Sequence, residues 1–220
     1  ARSLPEVRSG FENELRKYGT DHADIGIIHY VDDDDDFERI MAPGGIFDYA
    51  ERMKRDGAIR LLGFSSHAPG ICRRFIDTGK VDMFMMSINP SYDFEPRQGK
   101  MALSRERQDL YLECQKRGIG ITVMKPFGGG QLLSAARSPL RVAMTIPQCL
   151  QYALDRPAVL SCLPGAGSAA ELRGILAYCD STPRERDYSF IASLPGQASS
   201  GSCIYCNHCQ PCPAGIDIGS

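Results

Sequence analysis

The amino-acid sequence predicts an α/β fold with a parallel sheet, on three observations. Short apolar runs alternate with amphipathic stretches of helical length through residues 1–180. The apolar runs carry no regular polar alternation, so both faces of each strand are expected to be covered. The helical stretches also end on glycine shortly before the next strand, where a left-handed residue closes a helix. Strand and helix in this order are the signature of parallel strands joined by helical crossovers.

The elements follow in sequence. Leu4–Tyr18 carries Val7, Phe11 and Leu15 on one helical face and closes at Gly19. Asp24–Tyr30 (DIGIIHY) is the first strand. The run Asp32–Asp36 reads as a solvated loop, because adjacent like charges repel and no glycine folds them around a cation. Ile46–Arg55 carries Ile46, Tyr49, Ala50 and Met53, closes at Gly57, and leads to the strand Ile59–Ser66. Thr78-Gly79 punctuates the chain before the strand Val81–Asn89. Ser104–Arg117 carries Leu110, Leu112 and Cys114, closes at Gly118, and leads to the strand Gly120–Pro126. Thr145–Asp155 accepts Pro147 in its first turn. The strand Val159–Pro164 and the helix Ser168–Cys179 complete the series. Pro183–Leu194 reads as one more helix, followed by a Gly/Ser-rich linker.

At 220 residues the chain has room for one domain, or one domain with a small appendage. Charged residues at 24% and hydrophobic residues at 43% fit a soluble globular protein, expected in the cytoplasm. The net charge of -2 gives no basic face for nucleic acid. No apolar run approaches the roughly 18 residues of a membrane span, and the charged N-terminus is unlike a signal peptide.

Nine cysteines are unevenly placed. Cys72, Cys114, Cys149, Cys162 and Cys179 are scattered and read as small buried hydrophobes. Cys203, Cys206, Cys209 and Cys212 form a C-x2-C-x2-C-x2-C-P series in a segment too short for its own core. Two-residue gaps let thiolates converge on one centre, as in the ferredoxin run that holds a 4Fe–4S cluster. The last gap here is two residues where that run has three, which leaves the role of Cys212 open. A zinc site using His208 and disulfides are the alternatives. Zinc ligands usually split into separated pairs, and disulfides do not suit this compartment. Either the four cysteines share one cluster or the motif is cut short at the C-terminus.

Five segments in order, YGTDHADIGIIHYVD, AIRLLGFSSH, VDMFMMSINPSYD, GIGITVMKPFGGG and LSCLPGAGSAAEL, resemble the aldo/keto reductase family. The tail resembles that of the subgroup with a C-terminal ferredoxin-like 4Fe–4S domain. The resemblance implies a (β/α)8 TIM barrel with strands 4–8 visible in residues 1–195, and an iron–sulfur segment in residues 196–220. It implies hydride transfer between NAD(H) or NADP(H) and a carbonyl or alcohol substrate, at the C-terminal ends of the strands.

His29 matches the family's active-site histidine; the plain alternative is a histidine that caps a strand. Ser65, Ser66 and Asn89 match positions that hold the nicotinamide carboxamide, or else they satisfy strand-end backbone. Met124 stands where many relatives stack a tyrosine on the nicotinamide. Lys125 precedes a glycine loop suited to a pyrophosphate, although a solvated strand-end lysine fits it equally. Gly165, Gly167 and Ser168 lead into a helix whose amides suit a phosphate, and Glu171 in place of a basic residue favours NAD(H). Ser168 and Glu171 also read as a capping box.

The family's catalytic aspartate, tyrosine and lysine precede the matched region, and Tyr18, Tyr30 and Tyr49 do not match the tyrosine. Five strands do not close a barrel of about 250 residues, so a preceding segment is expected. The rival expectation is non-enzymatic: an iron–sulfur electron-transfer or redox-sensing module on a barrel scaffold, serving a redox partner protein.

Overall fold

The computed structural model describes residues 3–97 and 100–194. Cys203, Cys206, Cys209, Cys212 and the linker lie outside them. Five strands, β1 (Ala23–Ile28), β2 (Ile59–Ser66), β3 (Met83–Ser87), β6 (Gly120–Met124) and β7 (Val159–Leu163), make one sheet in the order β1-β2-β3-β6-β7. The pairs β1–β2 and β2–β3 are parallel, with Ile27 opposite Gly63 and Phe64 opposite Phe84. The α/β fold with a parallel sheet is therefore observed. Strands β4 (Phe94–Arg97) and β5 (Lys100–Leu103) form a separate antiparallel pair that the sequence reading did not anticipate.

The chain divides into two compact units. The first comprises Ala1–Met86 and Leu110–Thr122. It holds the helices α1 (Leu4–Tyr18), α2 (Asp34–Met41), α3 (Ile46–Arg55) and α4 (Pro69–Asp77). Its core is aromatic. Phe64 on β2 stacks on Phe75 of α4 at 4.2 Å and on Phe84 of β3 at 5.0 Å, and Phe37 of α2 meets Phe75 edge-on. Gly63 allows the close pairing of β2 with β3, since a Cβ there would lie 2.8 Å from the Met83 carbonyl oxygen. The glycines predicted to close helices, Gly19, Gly57, Gly79 and Gly118, all have positive φ.

The second unit comprises Ser87–Asp109 and the described part of the chain from Val123 onward. Within it lie α5 (Pro90–Asp93), α7 (Ile146–Leu154), α8 (Ala169–Leu176) and α9 (Pro183–Arg186), while α6 (Arg105–Arg117) contributes residues to both units. Thr145 caps α7 with Gln148 in a capping box, and Pro147 occupies the first turn as expected. The interior contains a buried ion pair. Asp93 accepts from Arg107 Nε at 2.7 Å and from the Tyr152 hydroxyl at 2.9 Å, and Arg107 also donates to the Ser87 carbonyl.

Several expectations need correction. Residues Asp32–Asp36 do not form a solvated loop. Asp33 accepts from the Asp36 amide as an N-cap, and Asp34, Asp35 and Asp36 fill the first turn of α2, where the helix dipole favours carboxylates. Thr78-Gly79 marks the end of a helix as expected, and that helix, α4, begins at Pro69. Pro183–Leu194 is not one helix but the short α9 and a 3-10 turn at Ser189–Ser193. Coverage on both faces holds for β3 but not for β1, β2 or β7, and Leu61 on β2 is 42% exposed. In β1, Ile25 is exposed, and in β7 Leu160 is 78% exposed. Leu112 is exposed while Leu110 and Cys114, four apart on α6, are buried. Cys72, Cys114 and Cys149 are buried as expected, but Cys179 is exposed.

Candidate functional site

In the first unit, β1 ends at Ile28 and His29 follows with an exposed ring. Tyr30 adopts a left-handed backbone at φ 62°, a conformation that costs a residue with a Cβ and is found at functional sites. Two hydrogen bonds hold the turn against the end of β2. The Tyr30 amide donates to Ser65 Oγ at 2.7 Å, and the Val31 amide donates to the Ser65 carbonyl at 3.0 Å. Ser65 Oγ also lies 2.9 Å from His29 Nδ1.

A second imidazole stands at the same strand ends. Asp32 Oδ2 lies 2.8 Å from His67 Nδ1, and Asp32 Oδ1 accepts from the His67 amide at 2.7 Å and from Ser66 Oγ at 3.1 Å. Burial alone would push the Asp32 carboxyl up. The hydrogen bonds from the His67 ring, the His67 amide and Ser66 outweigh it and hold the group below the usual carboxylate range. The Tyr30 ring meets His67 edge-on at 5.8 Å and is tilted against His29 at 6.5 Å. In the sequence Asp32 is one of five adjacent aspartates and reads as solvated with them. The available signal was its position three residues after His29, on the first strand's exit loop.

The second unit presents its own strand ends. Asn89 is buried and caps α5. Its Oδ1 accepts from the amides of Ser91 at 3.0 Å and Tyr92 at 3.3 Å and from the Ser91 hydroxyl, while Nδ2 donates to the Lys125 carbonyl at 2.8 Å. Asn89 thus ties the exits of β3 and β6 together. Lys125 takes φ 55°, and Gly128, Gly129 and Gly130 also have positive φ, which glycine adopts without steric cost. Met124 and Lys125 are half-buried.

Gly165, Gly167, Ser168 and Glu171 are exposed at the start of α8. Ser168 Oγ accepts from the Glu171 amide at 3.2 Å, and Glu171 Oε2 accepts from the Gly167 amide at 2.7 Å. Two of the amides expected to meet a phosphate are thereby capped internally. Among the described residues, no three His, Cys, Asp or Glu side chains are grouped to hold a metal ion. Burial pushes the thiols of Cys114, Cys149 and Cys162 up to about 12, so none is a thiolate at neutral pH.

Parallel strands whose exits carry a braced, exposed histidine form an α/β scaffold with a polar strand-end site. The aldo/keto reductase family profile matches residues 3–147, and the chain belongs to that family. An uncharacterized oxidoreductase of Bacillus subtilis, YqkF, is 22% identical over 185 residues, covering 76% of this chain. The chain spans 58% of that protein's length.

The fold is similar to aldo-keto reductase AKR11C1 of Bacillus halodurans, with a TM-score of 0.65 at 20% identity, covering 93% of this chain and 68% of that one. An aldo/keto reductase of Brucella melitensis gives a TM-score of 0.58 at 18% identity, covering 88% of this chain and 69% of that one. Among the described residues, no helix is long and apolar enough to cross a membrane.

Proposed function

We propose that the protein moves a hydride between a nicotinamide cofactor and a small carbonyl or alcohol substrate, on a (β/α)8 barrel of which residues 1–195 supply an incomplete part, strands 4–8. The observation that carries this reading is the exposed His29 imidazole. It is braced through Nδ1 by buried Ser65 at the C-terminal end of a parallel strand, in a chain of this family. When bound, the nicotinamide supplies the hydride that reaches the carbonyl carbon, or accepts it in the reverse direction. His29 hydrogen-bonds the substrate oxygen and stabilises the negative charge that develops there. Tyr30 fits the role of a wall beside His29, since it is half exposed and its turn is fixed by hydrogen bonds from its own amide and that of Val31 to Ser65.

Cofactor contacts fall to the accessible residues. In the second unit these are Met124, Lys125, Gly165, Gly167 and Ser168. A thioether can pack on an aromatic ring, and the left-handed glycines after Lys125 keep side chains out of the way of a pyrophosphate. Ser65, Ser66 and Asn89 are buried, with polar atoms already engaged in the protein, so their role is to shape the strand exits. The Glu171 carboxylate at the start of α8 disfavours a further phosphate and favours NAD(H) over NADP(H). Fluorescence titration of the intact protein tests this, with NADH expected to bind more tightly than NADPH. Absence of binding by either would overturn the reductase reading.

Residues 196–220 are proposed to hold a 4Fe–4S cluster through Cys203, Cys206, Cys209 and Cys212, exchanging electrons with a redox partner protein or fixing the C-terminus. The spacing supports this assignment. Four iron and four acid-labile sulfide per chain are expected, whereas one zinc per chain would remove the cluster.

A further inference from the structure

We propose that Ser65 is a positioning residue that holds His29 in the tautomer carrying its hydrogen on Nε2. The proposal deepens the reductase reading and rests on it only for its catalytic consequence.

Hydrogens and lone pairs around Ser65 Oγ decide the tautomer. Ser65 lies next to last on β2 and is 1% exposed, so water does not complete its hydrogen bonds. Its hydroxyl has one hydrogen to give and two lone pairs to accept with. The Tyr30 amide donates to Oγ at 2.7 Å and takes one lone pair. Among the described residues, His29 Nδ1 is the other neighbour, at 2.9 Å. If Nδ1 carried a hydrogen, that hydrogen would take the second lone pair. The serine hydrogen would then face no acceptor, at a cost of about 1–3 kcal/mol for a buried donor. If Nδ1 is bare, the serine donates to it and every group is satisfied. The hydrogen of neutral His29 then sits on Nε2, the ring atom away from the serine. Such a hydrogen can be donated to a carbonyl oxygen and shortens that bond as the oxygen gains charge.

His67 supplies an internal reference. Its Nδ1 faces Asp32 Oδ2 at 2.8 Å, and an ionised carboxylate only accepts. Nδ1 of His67 therefore carries the hydrogen. Two histidines at adjacent strand exits, one backed by a hydroxyl and one by a carboxylate, are held in opposite tautomers. The left-handed residue Tyr30 stands between two amides that both bind Ser65, its own to Oγ and that of Val31 to the carbonyl.

The test is long-range proton–nitrogen NMR on the intact protein labelled with nitrogen-15 in its histidine rings, at a pH where both imidazoles are neutral. His29→Gln and His67→Gln assign the signals. His29 is expected in the Nε2–H pattern and His67 in the Nδ1–H pattern. Finding Nδ1–H on His29 overturns the proposal whatever the activity, and this reading needs no variant of Ser65. Ser65→Ala should turn the His29 signal into a mixture, and Ser65→Thr, which keeps a hydroxyl, should restore it.

In turnover assays Ser65→Ala should lower kcat about tenfold while leaving KM for the nicotinamide within about twofold. A raised KM for the nicotinamide with kcat unchanged would assign Ser65 to the cofactor and overturn the positioning role. A protein that shows the expected tautomers but no nicotinamide binding would instead remove the reductase reading and leave the tautomer assignment standing.

Discussion

The strand exits of the two units treat polar groups in opposite ways. In the first, Ser65 and Asp32 sit behind two imidazoles, and the hydrogen bonds run outward to His29, which is exposed, and His67. In the second, Asp93, Arg107 and Tyr152 close on one another in the interior, with the Asp93 side chain 1% exposed and that of Arg107 8%. A polar group aimed outward can meet a ligand, whereas one sealed inside can only hold a shape. The inner network holds the α5 turn, because the Asp93 amide donates to the Asn89 carbonyl while Asp93 itself grips Arg107. The His29 and His67 network faces outward, and the Asp93 network is sealed.

The largest expected effect follows from that difference. Asp93→Ala strands a buried guanidinium and should destabilise the protein by about 3–5 kcal/mol in urea unfolding. Asp32→Ala removes the partner of a partly exposed ring and should cost no more than about 1–2 kcal/mol. Equal losses would break the comparison. Tyr152→Phe leaves Asp93 with Arg107 and should cost about 1 kcal/mol.

A smaller effect appears in the acid limb of the stability curve. The folded Asp32 carboxyl lies below its usual value, so its contribution is present above the unfolded pKa of about 3.9. That contribution is lost as pH falls through the lower folded value. Asp32→Asn should flatten this part of the curve, as read by urea titrations at stepped pH. An unchanged slope would mean that Asp32 titrates alike in both states.

Thiol labelling separates sealed from open positions by rate. Cys179 is exposed and should react with iodoacetamide in the native protein. Cys149, pushed up to about 12 by burial, should react only after unfolding. The smallest effect belongs to the sheet margin. Leu160→Ser on β7 should change stability by no more than about 0.5 kcal/mol, because this side chain is already in water.

Much of the backbone was legible from local pattern. Helices Leu4–Tyr18 and Ile46–Arg55 and strand Ile59–Ser66 carry apolar spacing and glycine stops that local physics reads without tertiary information. For α4 the stop at Gly79 is legible but the start is not, because its apolar residues Ile71, Cys72, Phe75 and Ile76 follow a proline and a glycine, which resemble a turn in isolation. The Asp32–Asp36 run was misread because repulsion between neighbours was weighed without the helix N-terminus that absorbs it.

The site was half legible. His29 stood out at the end of an apolar run. The partners of Ser65 and Asp32 did not, since Ser65 lies 36 residues from His29 and Asp32 lies 35 from His67. Contacts of that separation are made by β1 and β2 pairing, and no local spacing encodes them.

The central claim is that His29 stabilises charge on the substrate oxygen. Steady-state reduction of a panel of small aldehydes and ketones by the intact protein and its His29→Ala variant, at saturating NADH, tests it most directly. The account predicts that kcat falls at least about a hundredfold while KM for NADH stays within about twofold. A variant that turns over as fast as the parent would contradict it.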